Sequence, residues 1–266
     1  MQIPRKVWNK YINTLSKISS KASQLMGAYI TKYGLPETYD ERQALLDYAN
    51  SLTLKYGEGA AELACEMYDA IGALEGVILP SAVPADVMDY GGVAKAINGT
   101  MKHTQDTEVI ASVVGRMVKQ ANADTMLQNA QRDNAQWAWI PSGDTCAFCI
   151  VLASRGWQPA SKAQLDGGHA EHIHSNCDCN FAIRFSRDTT MQDYNPDEYL
   201  EMYENADTGS YGMQDGHWQN LSTAKINGLR REFYAKNKAK INAQRRDAYE
   251  KRKERESDKA EEINVD

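Results

Sequence analysis

No stretch of this 266-residue chain approaches the roughly 18 to 20 uninterrupted apolar residues of a membrane-spanning helix, because Lys, Asp and Glu interrupt every apolar run. An integral membrane protein and a membrane partner are therefore not expected. The opening segment, MQIPRKVWNKYINTL, has basic residues but no apolar h-region and no small-residue cleavage site, so synthesis in a cytoplasm is expected. Cysteine is scarce and odd in number: of five, Cys65 stands alone in a helical pattern and four crowd between positions 146 and 179. An odd count in an unsecreted chain argues against a disulfide framework and for metal or thiol chemistry. There is no internal repeat at a solenoid period, and low complexity is confined to the KRKERESDKAEE tail.

The composition, 42% hydrophobic and 25% charged, is that of a folded soluble protein with length enough to bury a core. Its net charge of -6 is unevenly spread. From Lys225 to Arg255 there are twelve Lys/Arg against four Asp/Glu, a local excess of eight positive charges, so an acidic body bears a basic arm.

Apolar residues at three- and four-residue spacing predict a helix from Arg5 to about Tyr33, stopped by Gly34 and Pro36. A second helix is predicted from Asp40 to Tyr56, ended by Gly57, and a third from Glu58 to about Leu74. Pro80 and Pro84 enforce an irregular link. A weak helix at Ala94 to Ile97 and a long one from Thr107 to about Asp133 follow. Alternation then predicts strands at Trp137 to Ile140 and Phe181 to Phe185, framing the cysteines. Between Asp188 and Gly216 the chain reads as a surface excursion with a weak helix near Glu198 to Tyr203. Residues 222–259 are predicted to form a charged helix with a narrow apolar seam. The expected fold class is mostly α: a helical domain at 1–134, a zinc-knuckle-like strand-loop-strand module at 135–190, and the excursion with the basic C-terminal helix at 191–266.

The chemistry sits in Gly143-Asp144-Thr145-Cys146-Ala147-Phe148-Cys149, answered after a spacer by His172-Ile173-His174-Ser175-Asn176-Cys177-Asp178-Cys179. Two thiolates at C-x-x-C spacing reach one ion from a single tight turn, and zinc takes four such N/S donors in a tetrahedron. The expected ligands are Cys146, Cys149, His174 and one of Cys177 or Cys179, holding a structural Zn²⁺. Cys177 and Cys179 would face the same way on a strand, so spacing does not choose between them. His169 and His172 are spare donors. Reduced core cysteines or a redox disulfide are the plainer alternative. His169-Ala170-Glu171 matches the H-x-E of zinc deaminases, but there the C-x-x-C lies downstream with a Pro before it. Here it lies upstream and no Pro directly precedes Cys146. A closed, thiolate-rich site also leaves no open position for an activated water, so no enzymatic activity is expected. Cys65, among Ala61, Leu63, Ala64 and Met67, reads as a small buried apolar residue. In the basic arm, Lys236, Lys238, Lys240, Arg245 and Arg246 are candidates for contact with nucleic acid, against the plainer reading of a solvated face or a helix docked on an acidic protein.

The run Asp144-Thr-Cys146-Ala-Phe-Cys149-Ile-Val-Leu152-Ala-Ser-Arg155-Gly156, followed by His174-Ser-Asn-Cys177-Asp-Cys179, resembles the signature of the MuF-type head morphogenesis group, the minor capsid proteins of siphoviruses. The lead-in Trp137-Ala-Trp139 and the helical region before it are similar too. The resemblance is specific from Ala135 to Cys179 and architectural elsewhere. It implies a virion component acting in head assembly, inside the capsid, with the portal and major capsid proteins as partners and packaged DNA as a third through the basic helix. The chain departs from the pattern in its spacer, with Gly167-Gly168-His169 and His172, which leaves the histidine ligand open between His172 and His174. Two other classes compete: an intracellular zinc-dependent nucleic-acid-binding protein and a zinc hydrolase or deaminase.

Overall fold

Trp8, Tyr11, Ile12, Leu15, Ala22, Met26 and Ile30 are all buried along one side of the first helix, α1 (Arg5–Tyr33), as the period predicts. It ends where glycine permits: Gly34 has φ 83° and its N–H donates to the Ile30 carbonyl at 2.8 Å. The structure, a computed structural model, describes residues 1–141, 147–160, 180–205, 210–214 and 217–221.

Helix α2 (Tyr39–Glu75) opens on a capping box. The Thr38 hydroxyl accepts from the Glu41 N–H at 3.3 Å, while the Glu41 carboxylate accepts from the Thr38 and Glu37 N–H groups at 3.1 and 2.9 Å. The sequence predicts a break at Gly57, but the helix runs through it for 37 residues. Gly57 is buried, and a Cβ there would lie 2.7 Å from Val87 Cγ1 and 3.6 Å from Ala121 Cβ. It lets two other segments come close, and that packing offsets the ~0.5–1 kcal/mol that glycine costs inside a helix. The real terminator is Gly76, left-handed at φ 68° and ψ 24°, with the Val77 N–H returning to the Gly72 carbonyl at 3.0 Å.

From Val77 to Met88 the chain forms no helix or strand, as Pro80 and Pro84 require. Its backbone is paired with side chains instead. Asp69 accepts from the Ala82 N–H at 2.9 Å and Thr125 from the Ala85 N–H at 3.0 Å. The Asn129 amide both donates to and accepts from Val83, at 2.8 and 2.9 Å, as a neighbouring strand would. Helix α3 (Tyr90–Met101) is longer than its apolar residues predict because Asp89 caps it, accepting from Gly92 at 2.7 Å. Helix α4 (Thr107–Arg132) is buried on most of its circumference, from Ile110 to Ala130, and packs against both α1 and α2. Gly115 makes the α1 contact possible: a Cβ there would stand 2.9 Å from the Ser19 carbonyl oxygen.

The predicted strands form, as β2 (Gln136–Ile140) and β4 (Asn180–Arg184), an antiparallel pair to which β3 (Gln158–Pro159) adds on the other side of β2. Between β2 and β3 lies a short helix, α5 (Ala147–Ala153). The chain's first strand, β1 (Gln2–Ile3), pairs parallel with β5 (Thr190–Met191), and helix α6 (Pro196–Asn205) contains the weak helix expected near Glu198. The fold is mostly α. One buried cluster gathers Trp8, Tyr11, Tyr68, Ile71, Met126, Trp137, Trp139 and Phe181, drawn from α1, α2, α4 and the sheet. A second, with Leu15, Met26, Leu45, Leu52, Val93, Ile97 and Val114, is made by helices alone. Met1–Glu204 is one compact unit and Asn205–Asp266 another. In the latter, β6 (Ser210–Gln214) and β7 (His217–Leu221) form an antiparallel hairpin within and just past the stretch expected to be a surface excursion. The expected C-terminal helix over 222–259 lies outside the described residues. Among those residues no helix is long and apolar enough to cross a membrane.

Candidate metal centre

Strand alternation puts Trp137 and Trp139 on one side of β2, and their partners across the ladder, Ile183 and Phe181, on the same side of β4. Phe181 meets both indoles edge-on, with centroids 5.1 Å from Trp137 and 4.7 Å from Trp139. Such pairs add about 0.5–1.5 kcal/mol each beyond the area they bury. Ala138 and Ala182 face each other on the opposite side. The register ends with Ile140 across from Asn180. That pairing decides how the two cysteine strings relate: Cys146, the first cysteine, comes six residues after Ile140, and the second string ends at Cys179, the residue before Asn180. The sheet therefore brings the entry to one string and the exit from the other to a single edge.

A buried polar cluster fixes that edge. Asn180, 4% exposed, donates from Nδ2 to Asn122 Oδ1 at 3.1 Å and accepts the Phe181 N–H at 2.8 Å. Asn122, fully buried in the middle of α4, also accepts from the Tyr11 hydroxyl at 2.6 Å and donates to the Ala60 carbonyl at 2.8 Å. Burial pushes the Tyr11 hydroxyl well above the ordinary phenol value, against the opposing effect of hydrogen bonds with Asn122 and Asn180. It stays protonated and acts as a donor. One carboxamide thus joins α1, α2, α4 and β4.

Helix α5 is anchored at its far end. Leu152 and Ala153 are buried in the sheet-side cluster, and the Tyr194 hydroxyl donates to the Ala153 carbonyl at 2.8 Å, a second donor to a helix-end acceptor that the Gly156 N–H meets at 3.2 Å. Gly156, at φ 64°, then turns the chain back onto β2 through β3. Arg184 stacks on Trp157 at 4.6 Å and donates to Gln136 Oε1 at 2.9 Å, closing this side of the sheet.

Of the expected ligands, Cys149 alone falls among the described residues; it is the third residue of α5 and is fully buried in the core with Leu152. Cys146, His174, Cys177 and Cys179 lie outside them, as do His169 and His172. So do Lys236, Lys238, Lys240, Arg245 and Arg246. Among the described residues no group of three or more His, Cys, Asp or Glu could hold a metal. The Trp139 indole N–H is buried and has no hydrogen-bond partner among them. Cys149 and Trp139 belong to the same buried cluster. Cys65, expected to be buried, is only partly so; burial and the nearby Asp69 and Glu62 carboxylates raise its thiol above the ordinary value. Sequence reasoning passed over Asn122 and Asn180. A polar residue within an apolar helical stripe, and another at the end of the cysteine string, were the available signals.

A family model described as VG15 protein matches residues 2–206, most of the chain. The chain belongs to the VG15 protein family. These are viral gene 15 proteins, which makes this family member a phage protein. No curated protein and no solved structure matches it. The matched span takes in every helix and sheet of the first unit and both cysteine strings.

Proposed function

We propose that the chain is a minor capsid protein of a tailed phage, of the MuF type, acting in head assembly beside the portal or inside the capsid. Its function is structural rather than enzymatic, and a Zn²⁺ ion held by Cys146, Cys149, a histidine (His174, or His172) and one of Cys177 or Cys179 stiffens the displayed loop. The supporting observation is the β2–β4 register, which pairs Ile140, leading into one donor string, with Asn180, leading out of the other. Membership of a viral family agrees with it. The ion supplies no chemistry beyond tetrahedral cross-linking of soft and borderline donors. The chain's own part is to hold those donors. Cys149 is fixed by α5, and the second string is tied at Asn180 to the carboxamide of Asn122.

Portal and major capsid proteins are the expected partners, and packaged DNA is the third, reached through Lys236, Lys238, Lys240, Arg245 and Arg246. The test has two parts. Elemental mass spectrometry of tag-free protein should find about one zinc per chain, lost in Cys146→Ser, and mass spectrometry of purified phage heads should find the chain in them. Wild-type protein without zinc refutes the metal site. Heads lacking the chain refute the capsid role.

A further inference from the structure

The first 36 residues hold six Lys/Arg and no Asp or Glu, in a chain whose net charge is -6. All six lie on α1, which begins at Arg5; Lys32 is exposed in its last turn, and Lys6, Lys10, Lys17 and Lys21 are an exposed set of four nearer its start. At 3.6 residues per turn they fall within a sector of about 60°, spread over about 22 Å of helix. No other residue between Lys6 and Lys21 falls in that sector; Asn13 and Ser20 flank it on one side, Thr14 and the exposed Val7 on the other. None of the four lysines makes an ion pair among the described residues. An open groove of about 300 Å³ runs along the same face, lined by Ser16, Lys17, Ser20, Lys21 and Gln24. The neighbouring helix α2 is opposite in sign, with eight Asp/Glu against Arg42 and Lys55.

We infer that this face of α1 is a second nucleic-acid contact, seating the sugar-phosphate backbone of duplex DNA. Charge and composition choose the occupant. Lysines flanked by hydroxyl and amide side chains are a residue set that contacts phosphate without reading sequence. A protein partner would call for aromatic or apolar anchors, and lysine is depleted from such interfaces. The inference is independent of the zinc site and of the chain's location in the head.

The experiment uses the full chain. Binding to a 40-bp duplex is followed by fluorescence anisotropy across a salt series for wild type, for Lys6→Gln/Lys10→Gln/Lys17→Gln/Lys21→Gln, and for the variant with Lys236, Lys238, Lys240, Arg245 and Arg246 all changed to Gln. Four phosphate contacts contribute about 3.6 to the slope of log K against log salt. The α1 variant should therefore bind with a slope shallower by about 3 to 4, with unchanged circular dichroism, and the double change Lys17→Gln/Lys21→Gln should lose about half of that. The C-terminal variant should keep the α1 share. A slope equal to wild type in the α1 variant overturns the inference. So does a change in oligomeric state without a change in slope, which would assign the lysine face to the acidic α2 surface of a second copy, at Glu58, Glu62 and Glu66.

Discussion

Replacing Tyr11 by Phe tests whether the carboxamide of Asn122 joins the helices to the sheet. The substitution removes one hydroxyl that donates to Asn122 Oδ1 at 2.6 Å, and leaves an acceptor that still receives Asn180 Nδ2 at 3.1 Å. Neither remaining group is orphaned, so the cost is that of one net hydrogen bond, about 1 kcal/mol. Asn122→Leu is more severe. The Tyr11 proton loses its acceptor and an Asn180 amide proton loses its own, both in a site where Tyr11 and Asn180 are each 4% exposed. Each unsatisfied buried group costs about 1–3 kcal/mol, giving about 2–6 kcal/mol together. In that background Tyr11→Phe removes a group already unpaired and should cost nothing or restore a little. The double-mutant cycle therefore predicts a coupling of about 1 kcal/mol or more between residues 111 positions apart, measured by urea denaturation with unchanged m-values. Additive effects would refute the reasoning.

Gly115→Ala should destabilise by roughly 1–2 kcal/mol, since overpacking against the fixed Ser19 carbonyl exceeds the helix-propensity gain, while Gly99→Ala, with nothing within 4 Å of its Cβ, should stabilise by about 0.5–1 kcal/mol in thermal melts. Asp133 is held below the ordinary carboxylate range, first by its two hydrogen bonds from Arg132 at 2.8 and 2.7 Å and also by the Tyr68 hydroxyl at 2.9 Å. A depressed folded-state value stabilises above the unfolded value of about 3.9 and is lost as pH falls through the folded one. The melting temperature of wild type should thus drop more steeply below pH ~4 than that of Asp133→Asn, and equal pH profiles would remove Asp133 from the account. Chelation of the proposed zinc should speed protease cleavage within 142–179 and leave helical circular dichroism nearly unchanged; loss of the helical signal would show that the ion is needed for the whole unit.

The long helices were legible because their signals are local. The period of α1, its Gly34 stop, and the span of α4 stand as predicted. Gly57 misled because a glycine's meaning depends on what approaches it, and Val87 and Ala121 are distant in sequence. The extent of α3 was hidden by Gly91, Gly92 and Gly99, which weaken propensity, whereas the Asp89 cap that starts it is a single side chain. The hairpin of β6 and β7 had a written signal, Asp215-Gly216 between two strand-like runs, masked by the polarity of the segment. For the candidate site, alternation located β2 and β4, but only the register reveals that Ile140 and Asn180 face each other.

The division of the core bears on what an ion could do here. The cluster around Leu15, Leu45, Ile97 and Val114 is built from α1 to α4 alone, without a residue from the sheet. The sheet-side cluster rests on Trp8, Tyr68, Met126 and two tryptophans, and needs no ligand to bury them. Small zinc modules fold only with their metal because they lack such cores. Here both strings leave and rejoin an already packed body, through Ile140, α5 and Asn180. A tetrahedral cross-link would then restrict the loop that joins them. Its contribution would be to the entropy and shape of the displayed segment, and the helices that present it would hold their fold on their own.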